Sequence, residues 1–305
     1  MRLNRFFLTS LLLAVTMVSC KDDDDQPEAI PDRDRNEVEQ EDQEALAEYL
    51  DTHFYNYEDF ENPEEGFDYN IVIDTIAGAN ADKIPLSESD LIEKTFTFQE
   101  VDYKLYILQI REGDGEKPKF TDDIFITYKG ERLNRSVFDQ SVVPMWFNLV
   151  FDNGQATSAI PGFQATFTEF GAASDYTVNP DNTVSWSDDY GIGAVFLPSG
   201  LGYFSQARPG IPAYSPLTFS FKLLGTNEAD HDNDGVPSWM EDINDNGDVF
   251  DDDTDGDGTP NFLDPDDDGD MYPTRDEIII HEDGTLELPD SNNDGTPDYL
   301  DPTAF

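Results

Sequence analysis

From Thr226 to Phe305 the chain carries 27 acidic residues against one basic residue, Arg275, a net charge of −26 over that stretch. A segment so charged cannot close around an ordinary apolar core unless cations neutralise it. The acids are also ordered. Five loops of the form D-x-[DN]-x-[DN]-G begin at Asp230, Asp242, Asp253, Asp264 and Asp290. Their first, third and fifth positions supply side-chain oxygens: Asp230, Asp232 and Asp234; Asp242, Asn244 and Asn246; Asp253, Asp255 and Asp257; Asp264, Asp266 and Asp268; Asp290, Asn292 and Asp294. A glycine at position six allows the sharp turn, and such a string of hard oxygen donors suits calcium. At position twelve stand Glu241, then Asp253 and Asp264, which each close one loop and open the next, and finally Asp301. The fourth loop meets Arg275 there instead.

The helices of an EF-hand are missing. Between the loops lie short pieces such as G-T-P-N-F-L-D and G-T-P-D-Y-L-D. This resembles thrombospondin type 3 repeats, which implies a tail (226–305) held by calcium rather than by a core, ordered outside the cell. His231 stands at a non-ligand position and is expected to face solvent. The whole chain has a net charge of −50, from 67 acidic and 17 basic residues. Such a field repels nucleic acid, so no nucleic-acid partner is expected.

The beginning of the chain reads as an address. Arg2 and Arg5 precede a short apolar run, Phe6 to Val18, and M-V-S-C ends at Cys20, the single cysteine. The pattern resembles a bacterial lipobox, and Lys21 followed by four aspartates resembles the surface-export signal of Bacteroidetes lipoproteins. The resemblance implies a signal peptide over 1–19, lipidation of Cys20, and a membrane partner reached through the lipid anchor, in the cell envelope at the outer membrane. Residues 20–44 are polar and acidic and are expected to form a disordered linker.

A helix is expected over 41–54, where Ala45, Leu46, Tyr49 and Leu50 recur at helical spacing. His53 is expected to cap or pack there rather than bind metal. Alternation predicts strands at 69–73, 96–98 and 101–110. Residues 45–104 form either an extension of the main domain or a small unit of their own.

Between 105 and 225 six blocks follow in order: G-D-G-E-K-P, D-I-F-I-T-Y-K-G, S-V-F-D-Q-S, P-M-W-F-N-L, A-I-P-G-F and F-L-P-S-G-L-G-Y, ahead of P-G-I-P and a last strand, L-T-F-S-F-K-L. They resemble the FKBP-type peptidyl-prolyl isomerases. The resemblance implies an α+β fold, a bent antiparallel sheet wrapped over one short helix, with the irregular calcium-repeat tail appended. It implies a pocket of Tyr128, Phe138, Asp139, Phe147, Ile160, Phe163, Tyr203, Ile211 and Phe219. The Ile160 N–H would hold a substrate carbonyl, the Tyr203 hydroxyl would donate to the ligand, and Asp139 would orient Tyr128. No cofactor is needed for catalysis, and the partners would be proline-containing polypeptides.

Four positions depart from the family pattern. Phe163 replaces a tryptophan, Met145 an aromatic and Phe204 a glycine, and Gly171 to Gly193 is lengthened. In that stretch Tyr176, Val178, Val184 and Trp186 flank N-P-D-N and predict an inserted hairpin, long enough to overhang the pocket. Two functions stay open on this reading: an isomerase for exported proteins, or a calcium-dependent surface binding or adhesion lipoprotein whose FKBP domain is inactive.

Overall fold

The computed structural model describes residues 31–150 and 158–304. Cys20 and the signal segment lie outside the described residues.

The first helix, α1, spans Arg35–Thr52, so the expected linker ends sooner and the helix starts earlier than its apolar spacing suggested. Asp34 caps it, accepting from the Asn36 and Glu37 backbone N–H groups. Then come β1 (His53–Tyr55), α2 (Tyr57–Glu61) and β2 (Ile73–Thr75). Only the end of the expected 69–73 strand is extended into pairing, with Ile73 opposite Tyr55. His53 packs as expected, its ring stacked 3.9 Å from that of Tyr49.

The body is a six-stranded antiparallel sheet. Its strands are β3 (Leu91–Phe98), β4 (Val101–Arg111), β5 (Asp123–Arg132), β6 (Val137–Asn148), β9 (Gly191–Leu197) and β10 (Leu217–Asn227), in spatial order β3-β4-β9-β10-β5-β6. The short pair β7 (Tyr176–Val178) and β8 (Val184–Trp186) is the inserted hairpin. Because β3 pairs with β4 along its length, the division expected at 104/105 cuts through one sheet, and the 45–104 region is an extension of the main domain.

Alternation along the strands sends side chains to two cores. From β4, Tyr103, Leu105 and Ile107 join Phe163 and Phe167 of α3 (Pro161–Phe167) on one face. From the same strand Leu108 packs with Leu46, Tyr49 and Leu50 of α1 on the other. The central strand β9 is buried throughout because both faces are covered.

The back-face packing of α1 includes two buried acids. Glu39 accepts from the Lys104 N–H and from Gln43. Asp42 accepts from both the backbone N–H and the hydroxyl of Ser199, at 2.7 and 2.5 Å. Burial pushes the Asp42 carboxyl up to about 6. A folded pKa above the unfolded one means the native state binds the extra proton. This group's contribution to stability is therefore greatest below pH 4 and falls as pH rises towards 6. Asp42→Ala strands two donors on fully buried Ser199 and should cost about 2 kcal/mol in urea melts. Asp42→Asn keeps an acceptor without the charge, and should cost less and flatten the pH dependence between 4 and 6.

The tail has short 3₁₀ turns at Ser238–Glu241, Asn261–Leu263 and Asp298–Leu300. Two small apolar clusters serve it. Val249 and Phe262 pack with Val150 of the sheet domain, while Val236, Ile278 and Tyr299 pack together. His231 is half-buried, edge-on to Phe262 at 5.4 Å with Nδ1 2.8 Å from the Ser238 hydroxyl, and so is not solvent-facing as expected.

Candidate functional site

Five of the residues singled out in the sequence form one aromatic basin on the α3 face of the sheet. Phe163, on α3, meets Phe219 of β10 edge-to-face at 4.9 Å and Phe147 of β6 at 6.4 Å. Phe219 in turn meets Phe138 at 5.5 Å, and Tyr128 meets Phe147 at 5.5 Å. Edge-to-face pairs like these set positive ring edges against negative faces and hold a fixed shape. Gly130 makes room for one pair: a Cβ there would lie 2.6 Å from the Phe138 ring and 2.8 Å from that of Phe219. Ile160, Ile211 and Tyr203 belong to the same apolar cluster.

The polar groups of the basin divide into used and free. The Tyr128 hydroxyl donates to Asp139 Oδ2 at 2.6 Å. The Tyr203 hydroxyl and the Ile160 N–H donate to no group among the described residues. Burial, and then the Asp139 carboxylate, push the Tyr203 hydroxyl up, so it stays a proton donor at neutral pH. Burial does the same for Tyr128, helped by its hydrogen bond to Asp139. The site therefore offers an apolar floor and two unclaimed donors, Ile160 N–H and Tyr203 Oη.

The departures from the family pattern have physical accounts. Phe204 holds φ at 45°, the left-handed region that suits the glycine expected there. Its ring is held by the Arg35 guanidinium at 3.9 Å and by Tyr214 at 5.0 Å. Met145 is exposed on the edge strand. The inserted hairpin does not overhang the basin. Trp186 packs on Phe125, 5.7 Å away, and against Gly225. Phe125 points away from the face that carries Ile124 and Ile126 into the core.

In the tail, one hydrogen-bond pattern recurs. The residue at position one caps the following turn, as Asp230, Asp242, Asp253 and Asp290 do for Gly235, Gly247, Gly258 and Gly295. The third residue then accepts from the fifth N–H and the fifth from the seventh, as in Asp232–Asp234–Val236 and Asp255–Asp257–Thr259. Oxygens of Asp230, Asp232 and Asp234 gather within 4.8 Å, as do those of Asp253, Asp255 and Asp257. Asn292 donates to Asp301 at 2.7 Å and to Asp294 at 3.3 Å, which brings Asp301 beside the last loop.

Two loops differ from expectation. In the fourth, the oxygens that gather are those of Asp266, Asp268 and Asp270. The Asp270 N–H donates to Asp268 and the Tyr272 N–H to Asp270, which puts Asp266 at position one and Glu277, not Arg275, at position twelve. Asp264 therefore does not open this loop. The shift places Met271 where a glycine usually turns, at φ 81°. In the second loop, Asn244 and Asn246 donate to Asp252 and Asp251, while Asp253, expected to close that loop, gathers with Asp255 and Asp257.

A fourth group was not visible in the sequence: Asp234, Glu241 and Asp267 bring oxygens within 4.8 Å although Asp267 comes from a distant repeat. All three are nearly inaccessible, and neither oxygen of Glu241 has a hydrogen-bond partner. Glu277 is likewise buried with both oxygens unpartnered. Burial and then neighbouring aspartates push Glu241 up to about 10 and Asp267 and Glu277 up to about 8. Orphaned buried carboxylates packed against like charges are costly unless a cation joins them. The donor set fits a hard divalent ion.

Over 112 residues, 37% of its length, the chain is 30% identical to FK506-binding protein 3 of Candida albicans. Over 114 residues it is 32% identical to FK506-binding protein 3 of Debaryomyces hansenii. This chain is thus related to FKBP-type proteins, and it spans 22% of the length of those relatives. Among solved structures, it aligns with a peptidyl-prolyl cis-trans isomerase from Pseudomonas syringae at 16% identity and TM-score 0.36, covering 65% of this chain and all of that one. It aligns with FkpA from Escherichia coli at 20% identity and TM-score 0.33, covering 63% of each chain. The family described as BamM C-terminal matches residues 231–288, within the acidic tail.

Proposed function

We propose that this chain is a peptidyl-prolyl cis–trans isomerase acting on exported or cell-envelope polypeptides, tethered by a lipid on Cys20 and carrying a calcium-stabilised tail. One observation carries the isomerase reading: an aromatic basin whose apolar floor carries two donors, the Ile160 N–H and the Tyr203 hydroxyl, that donate to no group among the described residues. Rotation about an X–Pro bond meets a barrier of about 18–20 kcal/mol. The twisted amide loses resonance and charge separation, so an apolar basin favours it over the planar form. Two donors holding the flanking carbonyls bind that geometry and leave the planar one less well served. Asp139 takes no part in proton transfer; it holds Tyr128. Neither a nucleophile nor a cofactor enters the reaction.

The calcium reading is supported by the unpartnered oxygens of Glu241 and Glu277. The envelope and lipid readings rest on the sequence around Cys20. The test is prolyl isomerisation of a model peptide, followed by NMR exchange or protease coupling. Rate acceleration by the purified protein supports the reading. A folded protein that leaves the exchange rate unchanged sinks it.

A further inference from the structure

A second groove lies on the far face of the sheet from the basin, between the amino-terminal extension and β4. It encloses about 600 Å³ and is lined by Tyr55, Tyr57, Phe60, Tyr69 and Arg111, among others. Its rings are only half-buried. They meet at steep angles: Tyr55 on Tyr57 at 72°, Tyr55 on Phe60 at 55°, and Phe60 on Tyr69 at 55°. Rings so crossed leave notches between them rather than flat platforms. Arg111 is held beneath by Tyr69 and Tyr190, with ring centroids 5.4 and 4.5 Å from its guanidinium carbon. Its Nε donates to the Tyr190 carbonyl, while Nη2 is buried with no hydrogen-bond partner among the described residues. Glu61, Glu88 and Asp90 stand at the rim.

We infer that this groove is a second polypeptide site, which takes a proline-rich segment with basic flanks. Pyrrolidine rings of a polyproline helix fit notches between aromatic side chains, and that helix leaves its carbonyls free. One such carbonyl would accept from the part of the Arg111 guanidinium that lines the groove, and the acidic rim would draw arginine or lysine beside the prolines. A sugar would prefer exposed flat ring faces, which the crossed rings do not offer. The inference does not depend on isomerase activity, because the groove and the basin lie on opposite faces of the sheet.

Titration calorimetry on the whole protein would use three probes: an arginine-flanked polyproline peptide, the same peptide with glutamate flanks, and an arginine-flanked glycine–serine peptide. The first should bind, and bind more weakly at high salt. Tyr57→Ala and, separately, Glu88→Lys should each weaken it by at least about fivefold. Tyr203→Phe, in the basin, should leave its affinity unchanged. Three results would overturn the site: no binding of the first peptide, binding indifferent to Glu88→Lys and Tyr57→Ala, or equal binding of the glycine–serine peptide. Binding of an oligosaccharide in place of the first peptide, lost in Tyr57→Ala, would assign the groove to sugar and equally overturn it.

Discussion

Chelating divalent cations should open the acidic tail while leaving the six-stranded sheet folded. Without an ion, Glu241 lies fully buried with neither oxygen paired, packed beside Asp234 and Asp267. Folding without an ion must either bury that charge or hold the group protonated, and either costs several kcal/mol. The two small apolar clusters of the tail are too few to offset several such charges. With calcium at millimolar concentration and a Kd of about 10⁻⁴–10⁻³ M, each site contributes roughly 0.5–2 kcal/mol. The expected result is rapid proteolysis beyond Asn227 in chelator, reversed by calcium, with the strands of the sheet resistant throughout. Glu241→Gln separates this from general fragility. It removes the ionisable carboxyl and its burial cost, so it should protect the tail in chelator, yet it removes a ligand, so calcium should then add less. A chelated tail as resistant as the calcium-loaded one, and unaltered by Glu241→Gln, would remove the cation from the account.

The same buried acids explain what could be read from the sequence and what could not. The basin residues could be read because motif order fixes them: Phe163 and Phe219 lie far apart in the chain, and the sheet brings their rings to 4.9 Å. The start of α1 was hidden. Glu39 and Asp42 make that stretch look like a solvated linker, yet both are buried against partners at Lys104 and Ser199 that no local pattern announces. A signal was present in Asp34 followed by Glu37, the spacing of a helix cap. The fourth loop was misframed because Gly269 occupies position six of a false register. The better guide was Glu277, an acid eleven residues after Asp266. Asp267 carried no readable signal at all, since its neighbours Asp234 and Glu241 are brought to it only by the folding of the whole tail.

Tyr203→Phe should lower kcat/KM for prolyl isomerisation by about tenfold and leave thermal stability nearly unchanged. The hydroxyl donates to no partner among the described residues, so its removal breaks no hydrogen bond there. The ring stays in the apolar cluster. What is lost is a hydrogen bond to the twisted substrate, and about 1–1.5 kcal/mol of such binding is about a factor of ten in rate. Tyr128→Phe should behave in the opposite manner. Its hydroxyl is already engaged by Asp139 at 2.6 Å, so deleting it leaves that carboxylate short of a donor and disturbs the wall of the basin. Stability should fall by about 1 kcal/mol, and KM should rise more than kcat falls. The split matters more than either number. A hydroxyl that serves the transition state moves kcat; one that serves the wall moves Tm and KM. If Tyr203→Phe changed Tm and left the rate alone, the free donor would be a structural accident, and the basin would bind proline without turning it over.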